Sequence, residues 1–376
     1  MKCITELPAE ELRGKRVFLR TSLNLPIAPD GSVEDIFRLK RALPTIEYLV
    51  ENGAKVIIVG YLGRKGDSMR PVAETLIKLA PQIPMHFFGT SFAESVHEAA
   101  LLKEGECLIL ESTRRDPGEE TNDLAFAALL ASLADIFVSD AFAEAHRNYV
   151  SNVAVAKLLP HHAGLLMRDE VEVLTKARAP EAPSLAILGG AKFETKSPLI
   201  TMLLDKYDHL FVTGALANDV FKAQGFPVGV SLISKELPTP AVLSHPHFLA
   251  PVDVTVELAD KQARVKKPQE VLPDEKIVDI GPDSVAILAP HIASAKFILW
   301  NGPTGLYEDG FTSYTHAIAD LIGKSGARAV IGGGDTIAVI ENCGVTFGPN
   351  VFLSTGGGAM LELLLKGTLP GIEALA

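Results

Sequence analysis

Short, unbroken apolar runs separated by helix-length stretches constrain this chain more than any other feature. In the first half they read RVFLR (16–20), KVIIVGYLGR (55–64), CLILESTRR (107–115) and IFVSDAFAEAHR (136–147). In the second half they read SLAILGGAK (184–192), HLFVTGALA (209–217), FILWNGPTG (297–305), AVIGGGD (329–335) and VFLSTGGGA (351–359). Runs that do not alternate with polar residues suit strands buried on both faces, the condition of a parallel sheet covered by helices. At 376 residues the chain exceeds what one core usually holds. The expected fold class is therefore α/β, with two doubly wound parallel-sheet domains.

The runs end differently in the two halves. The first set ends in arginine and the second in glycine. Open α/β sheets bind ligands beyond the carboxyl ends of their strands, so these terminal residues are site candidates by position. A guanidinium fork suits a carboxylate or phosphate. Glycine lets the backbone approach a polyphosphate with its amides pointing at the anion. Two anion-handling surfaces, facing each other, are the expectation.

Composition narrows the partners. A formal net charge of -11 argues against a nucleic-acid binder, which would show a basic stripe, so the arginines form a local positive pocket in an acidic body. Cys3, Cys107 and Cys343 are too few and too scattered for a disulfide framework or a metal knuckle. The N-terminal MKCITELPAEELRGK lacks the apolar core of a signal peptide, and no apolar stretch is long enough for a bilayer. A cytoplasmic protein with small-molecule substrates and no membrane partner is expected.

Helical periodicity is expected in RALPTIEYLVENG (41–53), PVAETLIKLA (71–80) and DLAFAALLASLAD (123–135). The amphipathic AGLLMRDEVEVLTKARAP (163–180) follows LPHHAG, where arginine endings give way to glycine endings, and is the expected interdomain helix. The boundaries are 1–162, 163–180, 181–360 and a tail at 361–376. Residues from about 234 to 282 read as strands and connections at the sheet edge.

Neither a Walker A pattern nor a full G-x-G-x-x-G after a strand occurs, which disfavours a P-loop ATPase or an ordinary dinucleotide enzyme. GGAKFETK places Lys192 and Lys196 four apart in what should be the first turns of a helix, both amines on one face. GGGDT puts Asp335 at a helix start, as an N-cap assisted by Thr336, as a magnesium ligand, or as both. STGGGAML offers an anion nest of Ser354, Thr355 and the amides of Gly356, Gly357 and Gly358. Trp300 reads as packing, and Glu308 as a surface charge or a ribose ligand. His161 and His162 are adjacent and point to different faces of any regular element, which argues against a metal pair. His146 beside Arg147 is the better placed histidine. Nothing suggests a covalent nucleophile.

Taken together, GGAK with Lys196, WNGPTGLYE, GGGDT, STGGG, LGR, DAFAEAHR and the LPG at 369–371 resemble the phosphoglycerate kinase family, colinearly over essentially the whole chain. The resemblance implies two α/β domains joined by a helix and hinge, with the tail returning to the first. It implies a monomer that transfers a phosphoryl group reversibly between ATP and 3-phosphoglycerate with Mg2+, giving ADP and 1,3-bisphosphoglycerate. Carried over by position, Arg20, Ser22, Asn24, Arg38, Tyr61, Arg64, Arg114 and Arg147 would form the acid site. Gly190, Lys192, Lys196, Gly214, Asn301, Glu308, Gly333, Gly334, Asp335, Thr336 and Gly356 to Gly358 would form the nucleotide site. Arg38, Lys192, Gly334 and Gly357 would be catalytic, Glu308 would hold the ribose, and Asp335 the metal.

The chain departs from the family pattern mainly on the acid side. Where the family reads R-V-D-F-N, this chain has a serine at Ser22 in place of the carboxylate. Tyr61 replaces the histidine of S-H-L-G-R, and Ala143 and Glu144 replace the glycine and threonine of D-A-F-G-T-A-H-R. Thr213-Gly214-Ala215 is a milder change on the nucleotide side. Glu144 would repel an anion unless it pairs with an arginine. A kinase with another acid acceptor and a non-catalytic nucleotide binder are the rival expectations, and rescue by Ser22→Asp and Tyr61→His would show that the acid pocket limits activity.

Overall fold

The computed structural model describes residues 1–258, 261–341 and 343–376. The chain divides into two compact units, Met1–Glu172 with Thr368–Ala376, and Val173–Gly367.

The first unit is built on β1 (Arg16–Thr21), β2 (Lys55–Val59), β3 (Met85–Phe88), β4 (Cys107–Leu110), β5 (Ile136–Asp140) and β6 (His161–Ala163). They form one parallel sheet in the order β3-β4-β2-β1-β5-β6. Every residue of β4 and β5 is buried, as strands with helices on both faces require. β6 was not foreseen: its three residues fall on the LPHHAG segment, too short to show a strand pattern, and are fixed by pairing with β5. The helices Phe37–Glu51, Arg70–Leu79 and Leu124–Ala131 fall on the periodic stretches, and Asp123 caps the last by accepting from the Phe126 amide at 2.8 Å. The tail segment Pro370–Glu373 packs in this unit, with the Gly371 amide donating to the Ala145 carbonyl at 2.8 Å.

The division between the units falls within the helix Leu165–Ala177. Asp140, the last residue of β5, receives the Met167 amide at that helix's start, 3.1 Å away. A Cβ at Gly164 would lie 2.1 Å from its Oδ1, so only glycine permits this approach.

The second unit contains β7 (Ser184–Leu188), β8 (His209–Val212), β9 (Phe248–Leu249), β10 (Val254–Glu257), β11 (Ala263–Lys266), β12 (Lys276–Ile280), β13 (Phe297–Asn301), β14 (Arg328–Gly332) and β15 (Val351–Leu353). Six of them make a parallel sheet in the order β15-β14-β13-β7-β8-β9. The stretch expected at the sheet edge supplies β9 there, but β10, β11 and β12 form a separate antiparallel sheet, β11-β10-β12. That sheet has its own small core, in which Val254, Val256 and Ile277 pack with Ala217 and Phe221 of the helix Ala215–Ala223. Among the described residues no helix is long and apolar enough to cross a membrane.

Candidate functional site

In the second unit, four helices begin just past the carboxyl ends of parallel strands: Phe193–Lys206 after β7, Ala215–Ala223 after β8, Gly334–Glu341 after β14 and Gly358–Lys366 after β15. Helix starts make this edge attractive to anions, although in two of them first-turn amides are already used: Phe193 donates to Ser234 Oγ at 2.8 Å and Leu216 to the Gly190 carbonyl at 3.0 Å. The loops between strand and helix touch backbone to backbone. A Cβ on Gly189 would meet the Pro303 carbonyl oxygen at 2.6 Å, and one on Gly214 would meet the Gly190 nitrogen at 3.0 Å. Gly214 has φ 62° and ψ -147°, a conformation open essentially to glycine alone. Gly357 abuts Gly333, with a would-be Cβ 3.5 Å from its Cα.

Asn301 ends β13 buried, and its Nδ2 has no hydrogen-bond partner. Such an orphan donor costs stability unless something fills it. It lies beside the Gly333 turn, where a would-be Cβ would be 3.2 Å from it and from Thr336 Oγ1. Thr336 Oγ1 in turn accepts from the Gly302 amide at 2.8 Å. Gly356 donates to Ser354 Oγ at 3.2 Å, closing the turn ahead of the amides of Gly357 and Gly358.

The two lysines do not share a helix face. Lys192 sits ahead of the helix in the left-handed region, φ 64° and ψ 74°, so the four-residue spacing does not apply to it. Lys192 is exposed, whereas Lys196 folds back to donate to the Ala191 carbonyl at 2.8 Å. Burial, then the Lys192 charge, draws the Lys196 pKa below its ordinary value. A cation that has lost part of its hydration gains more from a phosphate.

A cavity of about 280 Å³ opens beside these loops, lined by Gly190, Gly214, Ala217, Phe221, Val254, Val278, Leu306, Tyr307, Glu308 and Asp335 among others. Its walls are largely apolar, and its carboxylates are the exposed Glu308 and Asp335 and the buried Asp279. Sequence reasoning missed the wall residues, which come from the antiparallel sheet and from the segment after β13. It also missed Tyr307, whose hydroxyl donates to Asp335 Oδ1 at 2.9 Å. Burial, then Asp335, raises the Tyr307 pKa, so the phenol stays protonated as the donor. Asp335 is the second residue of its helix rather than a cap, which leaves an oriented carboxylate at the surface. Trp300 is fully buried and donates to the Gly302 carbonyl at 2.8 Å, a packing role.

Among the described residues no group of three or more His, Cys, Asp or Glu could cage a metal ion. Magnesium fits this donor set nonetheless, because it takes most of its ligands from phosphate and water and needs one or two carboxylates.

In the first unit the arginines are not equivalent. Arg20 does not follow its strand but lies inside β1, fully buried and in register with Val59 and Ser139. Its guanidinium donates to Ser151 Oγ at 2.9 Å and to the Thr21 carbonyl. Ser22 is also buried and donates to Glu144 Oε2 at 2.7 Å, and that oxygen stands 3.6 Å from Arg20 Nη1. The acid at 144 is thus paired with an arginine. Tyr61 is buried with its ring 3.9 Å from the Arg114 guanidinium and edge-on to Tyr149. Burial, then the Glu144 charge, pushes its pKa up to about 12.

Arg114 donates to the Gly63 carbonyl and to the Tyr149 hydroxyl and pairs with Glu120 at 3.0 Å. Arg38 is half-buried in the first turn of Phe37–Glu51 and donates to the Asn24 carbonyl at 2.8 Å. Asn24 Oδ1 accepts from the Gly63 amide at 2.9 Å, tying the loops after β1 and β2 together. Arg64 and Arg147 are exposed.

A family profile described as Phosphoglycerate kinase matches residues 7–367. Phosphoglycerate kinase of Leptospira biflexa serovar Patoc is 40% identical over 393 residues, covering 98% of this chain and 97% of that protein. The enzyme of Fervidobacterium nodosum is 41% identical over 389 residues, covering 97% and 96%. Among solved structures, phosphoglycerate kinase from Coxiella burnetii superposes with a TM-score of 0.79 at 36% identity, covering 99% of this chain and 98% of that one. The Pyrococcus horikoshii OT3 structure gives 0.88 at 29% identity, covering 100% and 98%. The chain belongs to the phosphoglycerate kinase family.

Proposed function

We propose that the chain catalyses reversible phosphoryl transfer between ATP and 3-phosphoglycerate, giving ADP and 1,3-bisphosphoglycerate, in the cytoplasm and as a monomer. The observation that carries this reading is the convergence of four helix starts and their glycine loops on one edge of the second unit, beside an apolar cavity with Glu308 and Asp335 in its lining. An adenine ring suits the apolar walls, and a ribose suits Glu308. The phosphates suit the amides at Gly190, Gly333, Gly334 and Gly356 to Gly358, with Lys196 and the orphan Asn301 donor beside them.

Asp335, oriented by Tyr307, would hold magnesium on the nucleotide; the ion would neutralise charge across the phosphate oxygens. Lys192, exposed on its left-handed residue, is free to follow the transferring group. The first unit supplies the acid site, with Arg38, Arg64, Arg114 and Arg147 as cations and Asn24 ordering the loops between them. Direct in-line transfer needs no protein nucleophile, since positioning and charge neutralisation supply the catalysis. Of the tail at 361–376, the part from Thr368 to Ala376 belongs to the first unit, where the Gly371 amide donates to the Ala145 carbonyl, and residues 361–367 stay with the second.

A coupled assay with ATP, magnesium and 3-phosphoglycerate, run beside a panel of other small phosphorylated and carboxylic acids, tests the reading. Turnover with the highest efficiency on 3-phosphoglycerate is expected. Absence of turnover at high substrate, or a clear preference for another acid, overturns it.

A further inference from the structure

A buried carboxylate stands among the basic residues of the first unit. Glu144 is 3% exposed, Ser22 1% and Arg20 0%. Ser22 donates its only proton to Glu144, so the Ser22 oxygen keeps nothing but lone pairs for any other partner. Arg20 lies on the same carboxylate oxygen at 3.6 Å, and its far side is fixed by Ser151, which donates to Glu119. Tyr61 flanks the group, its ring centroid 5.3 Å from the Arg20 guanidinium. Arg20 and Glu144, removed from water this completely and set beside the buried Glu119, are tolerable only as a pair. Residues 122 apart in sequence therefore act as one unit.

We propose that Glu144 is a positioning residue for the acid substrate: it holds Arg20 in place and turns the Ser22 proton inward, so that Ser22 and Glu144 together stand in for a carboxylate at position 22. The inference rests on the acid-kinase reading above for its kinetic readout only. It has a consequence opposite to the one sequence comparison suggests. Ser22→Asp alone does not repair the site, because it sets another carboxylate against Glu144 beside an Arg20 that already faces the buried Glu119.

The experiment is a charge-exchange cycle of four full-length proteins: the natural chain, Ser22→Asp, Glu144→Thr, and both together. Melting temperature and the KM values for 3-phosphoglycerate and for ATP are measured on each. Each single variant is expected to melt about 5 °C or more below the natural chain, and the double variant close to it. In the single variants the KM for the acid should rise about tenfold or more while the KM for ATP stays put. The double variant should recover most of both losses. Additive melting losses overturn the pairing whether or not the chain turns over 3-phosphoglycerate. Coupled melting with an unmoved acid KM overturns the positioning role.

Discussion

Replacing Gly334 with alanine separates what the protein needs from what its ligand needs. A Cβ at Gly334 would meet no heavy atom within 4 Å, and the residue is the first of a helix without a positive φ. Alanine should therefore stabilise the helix by about 0.5–1 kcal/mol, because glycine gives up more backbone freedom on folding. In a unit of this size that corresponds to a melting temperature higher by roughly 1–4 °C. The nucleotide reading puts a phosphate where the new methyl would stand. Displacing the reacting phosphoryl by about 1 Å costs on the order of a hundredfold in rate.

The expected variant is thus more stable and about a hundredfold less efficient with ATP, by scanning calorimetry and the coupled assay. Gly302→Ala is the contrasting control. Its φ is +95° and a Cβ would lie 2.6 Å from the Gly189 carbonyl carbon, so it should lower the melting temperature of the second unit. Unchanged kinetics in a stabilised Gly334→Ala would refute the idea that a phosphate reaches this amide.

Tyr307→Phe removes the hydroxyl that orients Asp335 and should raise the magnesium concentration for half-maximal activity by about tenfold, with the melting curve unchanged. An unmoved magnesium titration would show that the hydrogen bond does not matter to the metal. Asp279, buried against Thr304 and the Ile280 amide, has its pKa pushed by desolvation from 3.8 up to about 7. A folded-state value above the unfolded one means stability that is complete below about pH 4 and lost as pH rises through 7, by up to about 4 kcal/mol from this group. Asp279→Asn should flatten the fall in melting temperature between pH 4 and 8, and an identical pH profile would sink the assignment.

What the sequence disclosed followed from local signals. Strands buried on both faces carry few polar positions, so β2, β4, β7 and β13 are visible as nearly unbroken apolar runs. The glycine loops were visible because close approach admits no other residue. What stayed hidden depended on distant partners. The exposed β11, with its sequence ARVK, carries no apolar run and owes its strand to pairing with β10. Lys192 could not be placed off its helix without its left-handed backbone, which no lysine announces. The burial of Arg20 follows from Glu144, Ser151 and Tyr61, which arrive from three other segments of the chain.

The two units answer the same demand with different materials. Backbone amides carry no net charge, so they hold an anion only at contact distance, and the second unit accordingly braces loop against loop at Gly189 with Gly302, Gly190 with Gly214, and Gly333 with Gly357. A side chain added at Gly189, Gly302 or Gly214 pushes on backbone, whereas one at Gly190 meets the flexible Lys196 amine. Guanidinium groups act over longer distances, but each must be oriented and, where buried, neutralised. The first unit therefore carries acids beside its arginines, Glu144 at Arg20 and Glu120 at Arg114; on the proposed reading the exposed Arg64 and Arg147 meet an incoming anion first. On that reading a chain with a formal charge of -11 can still present a basic pocket, because the acids inside it hold cations in place and the remaining excess negative charge is spread over the rest of the molecule.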